Sequence, residues 1–184
     1  MAHATSAEEM TFGYLSAVES PEHGFFGGYL VVTHLGRPLE FHCTAPVRPN
    51  RAQQILYGPT LQPYLLGEQI AGALLRQAKI PPRLVLTDQP ATLCIRSQAG
   101  VPMVLIRAED GQCAIEPAKP SLTIGKYSVE LPTGYESDTQ SAMEGLTILA
   151  ERVELMEPLE RIHEAIREAQ RLGTRANDAT AHAA

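Results

Sequence analysis

A single α/β domain built on a mixed sheet is the fold class this sequence predicts, and three features carry the prediction. Two β-rich runs, Tyr29 to His34 and Leu39 to Thr44, flank Leu35-Gly36-Arg37-Pro38 and read as an antiparallel hairpin. A helical segment with an apolar stripe follows, and the compact apolar run Arg83 to Thr87 then reads as a central strand reached through a helical crossover. From about Asp138, apolar residues recur at spacings of three and four, which predicts an amphipathic helix at the C-terminal end. With 184 residues, 44% of them hydrophobic, the chain is long enough to bury one core. Aromatic residues make up only 5% and Trp is absent, so that core rests on Leu, Ile, Val and Ala. The expected division is a disordered segment 1–10, an α/β core 11–136, a helical segment 137–173 and a disordered tail 174–184.

Thr11 to Val18 reads as the first strand, delivering Glu19 to its end. Ser20 to Gly28 reads as a loop by its Pro and Gly content, with Phe25 and Phe26 either lying back on the core or forming a contact surface. In the hairpin, Gly36 supplies φ > 0 and Pro38 restarts the second strand. On the first arm Leu30, Val32 and His34 oppose Tyr29, Val31 and Thr33. On the second, Leu39, Phe41 and Cys43 share one face and Glu40, His42 and Thr44 the other, which predicts a strand whose apolar face is buried. Asn50 is a suitable N-cap for a short helix through Tyr57, and Thr60 for a second helix from Leu61 to Lys79. Pro63 is tolerated in its first turn, and Leu65, Leu66, Ile70, Ala73, Leu74 and Ala78 form its stripe. Pro90 to Gln98 reads as a short helix and Val101 to Ala108 as another buried strand. Asp110-Gly111 is a turn signal, Pro117 and Pro120 mark a loop, and Gln112–Ile115 and Leu122–Leu131 are weaker strand candidates. In the last helices Met143, Leu146, Leu149, Val153 and Met156 precede Pro158, which interrupts the helix or opens a second. That continuation carries Leu159, Ile162, Ile166 and Ala169 on one side, with Glu157–Arg161, Glu164–Arg167 and Glu168–Arg171 at contact spacing on the other. Gly173 is expected to end it.

The net charge of −6 argues against a wholly basic nucleic-acid binder, but the charges are unevenly placed. Residues 37–107 hold eight Arg and Lys against Glu40, Glu68 and Asp88, whereas residues 136–172 hold nine acids against four Arg. One reading pairs the two segments within the fold. The other makes Arg37, Arg48, Arg51, Arg76 and Arg83, with Arg96, an anion-binding surface. Cys43, Cys94 and Cys113 are odd in number and lack C-x-x-C spacing, so buried free thiols in a reducing compartment are expected. No secretory leader pattern opens the chain and no apolar run approaches the ~18–20 residues of a membrane span. The expectation is a cytoplasmic protein with no membrane association.

No P-loop, G-x-G-x-x-G, H-E-x-x-H or G-x-S-x-G occurs, and Ser16, Ser20 and Ser97 have no neighbours that suggest activation. His34 and His42 approach each other across the hairpin but lack a third ligand, so no metal site is predicted from them. The order of elements resembles the ribonuclease H-like fold over residues 11–108. GFFGGY follows the first strand, Asn50-Arg51-Ala52-Gln53 opens the first helix, and Thr87-Asp88 ends the fourth strand. The resemblance implies Mg²⁺-assisted phosphodiester hydrolysis on clustered carboxylates. Carried over by position these are Glu19, the residue at Gln53, and Asp88, with Glu144 or Glu151 from the late helix. Glu19 stands where the family usually has aspartate, and Gln53 supplies no charge to a hard cation. Apart from metal binding, Asp88 reads as an N-cap and Glu19 as a solvated loop acid. A second resemblance, of YLVVTHLGRPLEF to roadblock- or longin-type scaffold domains, implies dimerisation and protein partners, although their helix before the hairpin is missing.

The sequence alone therefore favours a non-catalytic binding or assembly module, without catalytic residue or cofactor, that self-associates or meets a protein partner through its C-terminal helix. The alternative is a divergent metal-dependent nuclease, or an inactive relative, with a ribonuclease H-like fold and Mg²⁺ at Glu19 and Asp88. Nucleic acid is a partner in that alternative, without support from the net charge.

Overall fold

The computed structural model describes residues 10–108 and 122–181, the last ten of them as backbone alone. Strands β1 (Thr11–Ser20), β2 (Gly24–Thr33) and β3 (Pro38–Cys43) form an antiparallel meander at one side of the sheet. β4 (Leu84–Thr87) joins β1 in parallel, and β5 (Met103–Ala108) joins β4 in parallel. A closing hairpin, β6 (Leu122–Ile124) and β7 (Tyr127–Glu130), lays β7 antiparallel on β5, giving the order β3-β2-β1-β4-β5-β7-β6. The antiparallel opening followed by parallel β4 and β5 is the mixed, ribonuclease H-like order expected from the sequence.

The crossover from β3 to β4 starts at α1 (Arg51–Tyr57). Asn50 caps it in a reciprocal box: its side chain accepts from the Gln53 N–H (2.8 Å) and Gln53 Oε1 accepts from the Asn50 N–H (2.9 Å). A 3₁₀ turn, a π-helical segment Pro63–Ala71 and α2 (Gly72–Gln77) complete the crossover. Thr60 does not cap a new helix; its hydroxyl donates to the Tyr57 carbonyl across the break that Gly58 (φ 48°) makes at the end of α1. Apolar spacing of three to four residues does not separate α from π winding, so the π segment was not legible. Gly67 lies within it. A Cβ there would stand 2.2 Å from Cys94 Sγ, so the glycine lets the 3₁₀ segment Pro90–Ile95 approach. α3 (Arg96–Ala99) follows and ends at left-handed Gly100.

Strand alternation sorts the core into two layers. Phe12, Tyr14, Leu30, Val32, Leu84, Leu86, Val104 and Ile106 face α4 (Thr139–Ala150) and α5 (Glu157–Ala181). Leu15, Tyr29, Val31, Val85 and Met103 face the π segment and α2 through Leu66, Ile70 and Leu74.

Several expectations are corrected. The stretch Ser20–Gly28 is not a loop: only a tight turn precedes β2, and Phe25 and Phe26 both pack on the core. β3 is the edge strand, and its apolar face is open, with Leu39 and Phe41 exposed and Glu40 and His42 half-buried. Alternation told which residues share a face but not which face is covered. Cys43 and Cys94 are exposed rather than buried. Leu122–Leu131 is a hairpin turning at Gly125, not one strand. Gly173 lies inside α5, which continues to Ala181 through the stretch read as tail. Of the α5 pairs, Glu157–Arg161 and Glu168–Arg171 form, while Arg167 Nε donates to the His163 carbonyl. The expectations for residues 1–9, Asp110 to Pro120 and Cys113 lie outside the described residues.

Glu40 ties the edge strand to the crossover, accepting from the Lys79 N–H (3.0 Å), the Ile80 N–H (2.9 Å) and His42 Nε2 (2.6 Å). Partial burial opposes its charge, but the bonds from His42, Ile80 and Lys79 outweigh it, so the carboxyl titrates below its ordinary value of 4.5. A carboxyl with a depressed folded-state pKa contributes stability above its unfolded pKa, and this is lost as pH falls through the folded value. Urea midpoints are therefore expected to drop more steeply below pH 4.5 in the wild type than in Glu40→Gln. Parallel pH profiles would remove Glu40 from the acid response.

Candidate functional site

The parallel pairing of β1 with β4 matches Leu15 with Thr87, so the next residues along, Ser16 and Asp88, lie side by side where β4 ends. Both follow the register of Phe12, Tyr14, Leu84 and Leu86, which directs them to the face covered by α5. Ser16 pairs across β1–β2 with Gly28, and a Cβ on Gly28 would stand 2.3 Å from Ile162 Cγ2. The missing side chain therefore lets α5 rest directly on the sheet, and His163 arrives beside Ser16.

The three side chains contact one another. Ser16 Oγ lies 2.6 Å from Asp88 Oδ1 and 2.7 Å from His163 Nε2, and His163 Nε2 lies 3.2 Å from Asp88 Oδ2. An ionised carboxylate only accepts, so the serine proton points to Asp88 and His163 Nε2 must carry the hydrogen that Ser16 Oγ receives. A serine activated as a nucleophile has the reverse arrangement, its proton aimed at the imidazole. Ser16 is also fully buried, with Asp88 mostly covered and His163 about one-third exposed. The geometry makes a hydrogen-bonded lock between sheet and helix, not a nucleophilic triad. Beneath it, burial pushes the Tyr14 phenol well above its ordinary pKa, against the pull of Arg161, so this layer holds a neutral hydroxyl.

The turn after β4 is fixed independently. Thr87 and Thr92 share a hydrogen bond (2.9 Å), the Gln89 N–H donates to Thr87 Oγ1 (3.1 Å), and Gln89 Nε2 donates to the Ala17 carbonyl (3.3 Å). Asp88 is thus held toward Ser16 and does not cap the following helix, where no side-chain cap bond forms.

Of the residues carried over from the resemblance, only Asp88 is in this cluster. Glu19 is exposed near the end of β1, three residues past Ser16 and on the opposite register, beside a cavity of about 250 Å³ shared with Gln62 and Gln89. The Gln53 side chain is engaged in the α1 cap. Glu144 pairs with Arg83 (3.0 Å), and Glu151 is exposed just past the end of α4. The arginines divide. Arg48 donates to the His23 carbonyl at the Ser16 end of the sheet, and Arg51 opens α1 just beyond it. Arg37 lies in the β2–β3 turn and Arg83 precedes β4, both at the opposite end, while Arg76 is on α2. Arg96 pairs with Asp138 (2.5 Å), so Arg83 and Arg96 do meet the acidic C-terminal segment.

A two-ion Mg²⁺ centre needs several anionic oxygens around a gap large enough for the ions. Here one carboxylate, one hydroxyl and one imidazole are in direct contact, and among the described residues no three His, Cys, Asp or Glu side chains gather to hold a metal. This donor set does not fit that centre.

Ser16 and His163 were missed as site residues. The available signal was a polar residue at an inward position: Ser16 continues the Phe12, Tyr14 register, and His163 stands four residues after core Leu159. Their meeting depends on a contact spanning 147 positions, which no local pattern announces.

No family model matches the chain, and no curated protein matches it. Among solved structures, a Ciona intestinalis endonuclease V variant in complex with inosine-containing DNA is similar at 8% identity with a TM-score of 0.53. The match covers 87% of this chain and 85% of that one. A Marinitoga piezophila Argonaute in complex with 5′-OH guide RNA aligns at 11% identity with a TM-score of 0.40, over 82% of this chain and 27% of that one. At such identity the likeness to endonuclease V is one of fold alone: the two chains share a mixed α/β architecture.

Proposed function

We propose that the chain is an inactive relative of metal-dependent nucleases that binds a nucleic-acid strand at the Ser16 end of its sheet. The observation that carries this reading is the identity of the β1 residue facing Asp88. A shared-ion centre needs an anionic oxygen there; Ser16 offers a hydroxyl whose proton is directed at Asp88 itself. The fold shared with a DNA-bound endonuclease V supports the nucleic-acid half of the proposal, and Arg48 and Arg51 supply positive charge at that end. Self-association through α5 has less support, since Leu159, Ile162 and Ile166 are buried against the sheet.

Fluorescence anisotropy with short single- and double-stranded DNA and RNA is expected to show saturable, salt-sensitive binding. Replacing both Arg48 and Arg51 by Glu should weaken it roughly tenfold or more at low salt. With Mg²⁺ or Mn²⁺ and excess protein, no strand is expected to be cut. Metal-dependent cleavage that disappears in Asp88→Asn would overturn the inactive assignment, and the absence of binding to every strand would overturn the nucleic-acid one.

A further inference from the structure

A cavity of about 460 Å³ opens on the other face of the sheet, between α2, α3 and the start of β4. Leu75, Ile80, Val85 and Val101 form the apolar part of its lining, Gln98 adds a polar side chain, and the exposed Arg76 and Lys79 also border it. Tyr29 also lines it, and that residue is fully buried with a hydroxyl that has no hydrogen-bond partner among the described residues. The strand register shows where this hydroxyl points. Tyr29 is on β2, yet its Oη lies 2.4 Å from where a Cβ of Gly13 would stand on β1, and Gly13 pairs with Val85 of β4. The ring therefore crosses β1 through the gap left by Gly13 and aims its hydroxyl at the cavity wall. Burial, reinforced by Glu40, pushes the phenol pKa up, so the group stays a neutral donor and acceptor. Neither Arg76 nor Lys79 forms an ion pair among the described residues, although Arg83, Arg96, Arg107 and Lys126 all do.

A largely apolar cavity with a few polar groups and cations at its edge is the usual anatomy of a small-ligand site. We infer that this cavity binds an amphipathic organic carboxylate. Its hydrocarbon body packs on Leu75, Ile80 and Val101, its anionic group sits between Arg76 and Lys79, and a polar atom farther along the molecule reaches the Tyr29 hydroxyl by displacing the side chains that bury it. The site is separate from the Ser16–Asp88–His163 cluster and independent of nucleic-acid binding.

The test uses the full chain labelled with ¹³C in its Ile, Leu and Val methyl groups, titrated with octanoate, 8-hydroxyoctanoate and octanol. Both carboxylates are expected to give saturable shifts centred on Leu75, Ile80, Val85 and Val101. The hydroxylated one should bind several-fold more tightly than octanoate in the wild type and lose that advantage in Tyr29→Phe. Arg76→Glu combined with Lys79→Glu, two exposed positions, should weaken carboxylate binding at least tenfold while leaving octanol within about twofold. No saturable shift with either carboxylate, shifts centred elsewhere, or equal losses for carboxylate and alcohol in the charge-reversed protein would overturn the inference. A hydroxyl advantage that persists in Tyr29→Phe would remove Tyr29 from the site.

Discussion

Gly28→Ala is expected to destabilise the domain by about 1–3 kcal/mol, the usual cost of forcing an extra carbon into a packed core. The new Cβ would fall 2.3 Å from Ile162 Cγ2 and 3.2 Å from Ile166 Cδ1, so α5 must lift from the sheet. For a chain of this size each kcal/mol lowers the melting temperature by roughly 2–4 °C. The loss should be coupled to the helix. Ile162→Ala alone costs about 2–5 kcal/mol through its cavity, but in the Gly28→Ala background it makes room for the added methyl. A double-mutant cycle by urea denaturation should therefore show the pair losing less than the sum of its parts. Strict additivity would mean that α5 does not rest on Gly28 as described.

The second large effect is expected at Asp88. Removing its carboxylate leaves the Ser16 hydroxyl, which is fully buried, without the acceptor 2.6 Å away, and His163 without its second contact. A buried donor stripped of its partner costs about 1–3 kcal/mol, whereas removing both members of a pair is far cheaper. Asp88→Ala should fall in that range, and adding Ser16→Ala should recover a substantial part. Asp88→Asn keeps an acceptor oxygen and should lose less than Asp88→Ala. Denaturation midpoints of these variants decide the matter; an Asp88→Ala protein as stable as the wild type would show that the cluster does not hold α5 on the sheet.

The elements easiest to read were those whose signal is local. Asn50 announced a helix start because capping is settled within three residues, and Pro158 announced a break because it lacks an N–H. The apolar runs at Thr11, Tyr29, Arg83 and Val101 predicted strands because each carries enough β-branched and large apolar residues to be buried on both sides. Leu39 and Phe41 show where this stops: their alternation was real, but β3 ended as an edge strand with that face open. Asp88 shows the same limit for the site. Its position at the end of β4 was legible; the ribonuclease H-like resemblance groups it with Glu19 and Gln53, whereas parallel register on β1 places it against Ser16.

The sequence by itself determined a mixed α/β domain with a hairpin, a helical crossover to a central strand, and a C-terminal amphipathic helix, because periodicity, capping and turn chemistry act over a few residues. Tertiary structure alone decided which face of β3 is covered, which arginines share an end of the sheet, and that Ser16, Asp88 and His163 meet. Those outcomes depend on strand register and on how closely α5 approaches Gly28, and both are set by contacts between residues far apart in the chain.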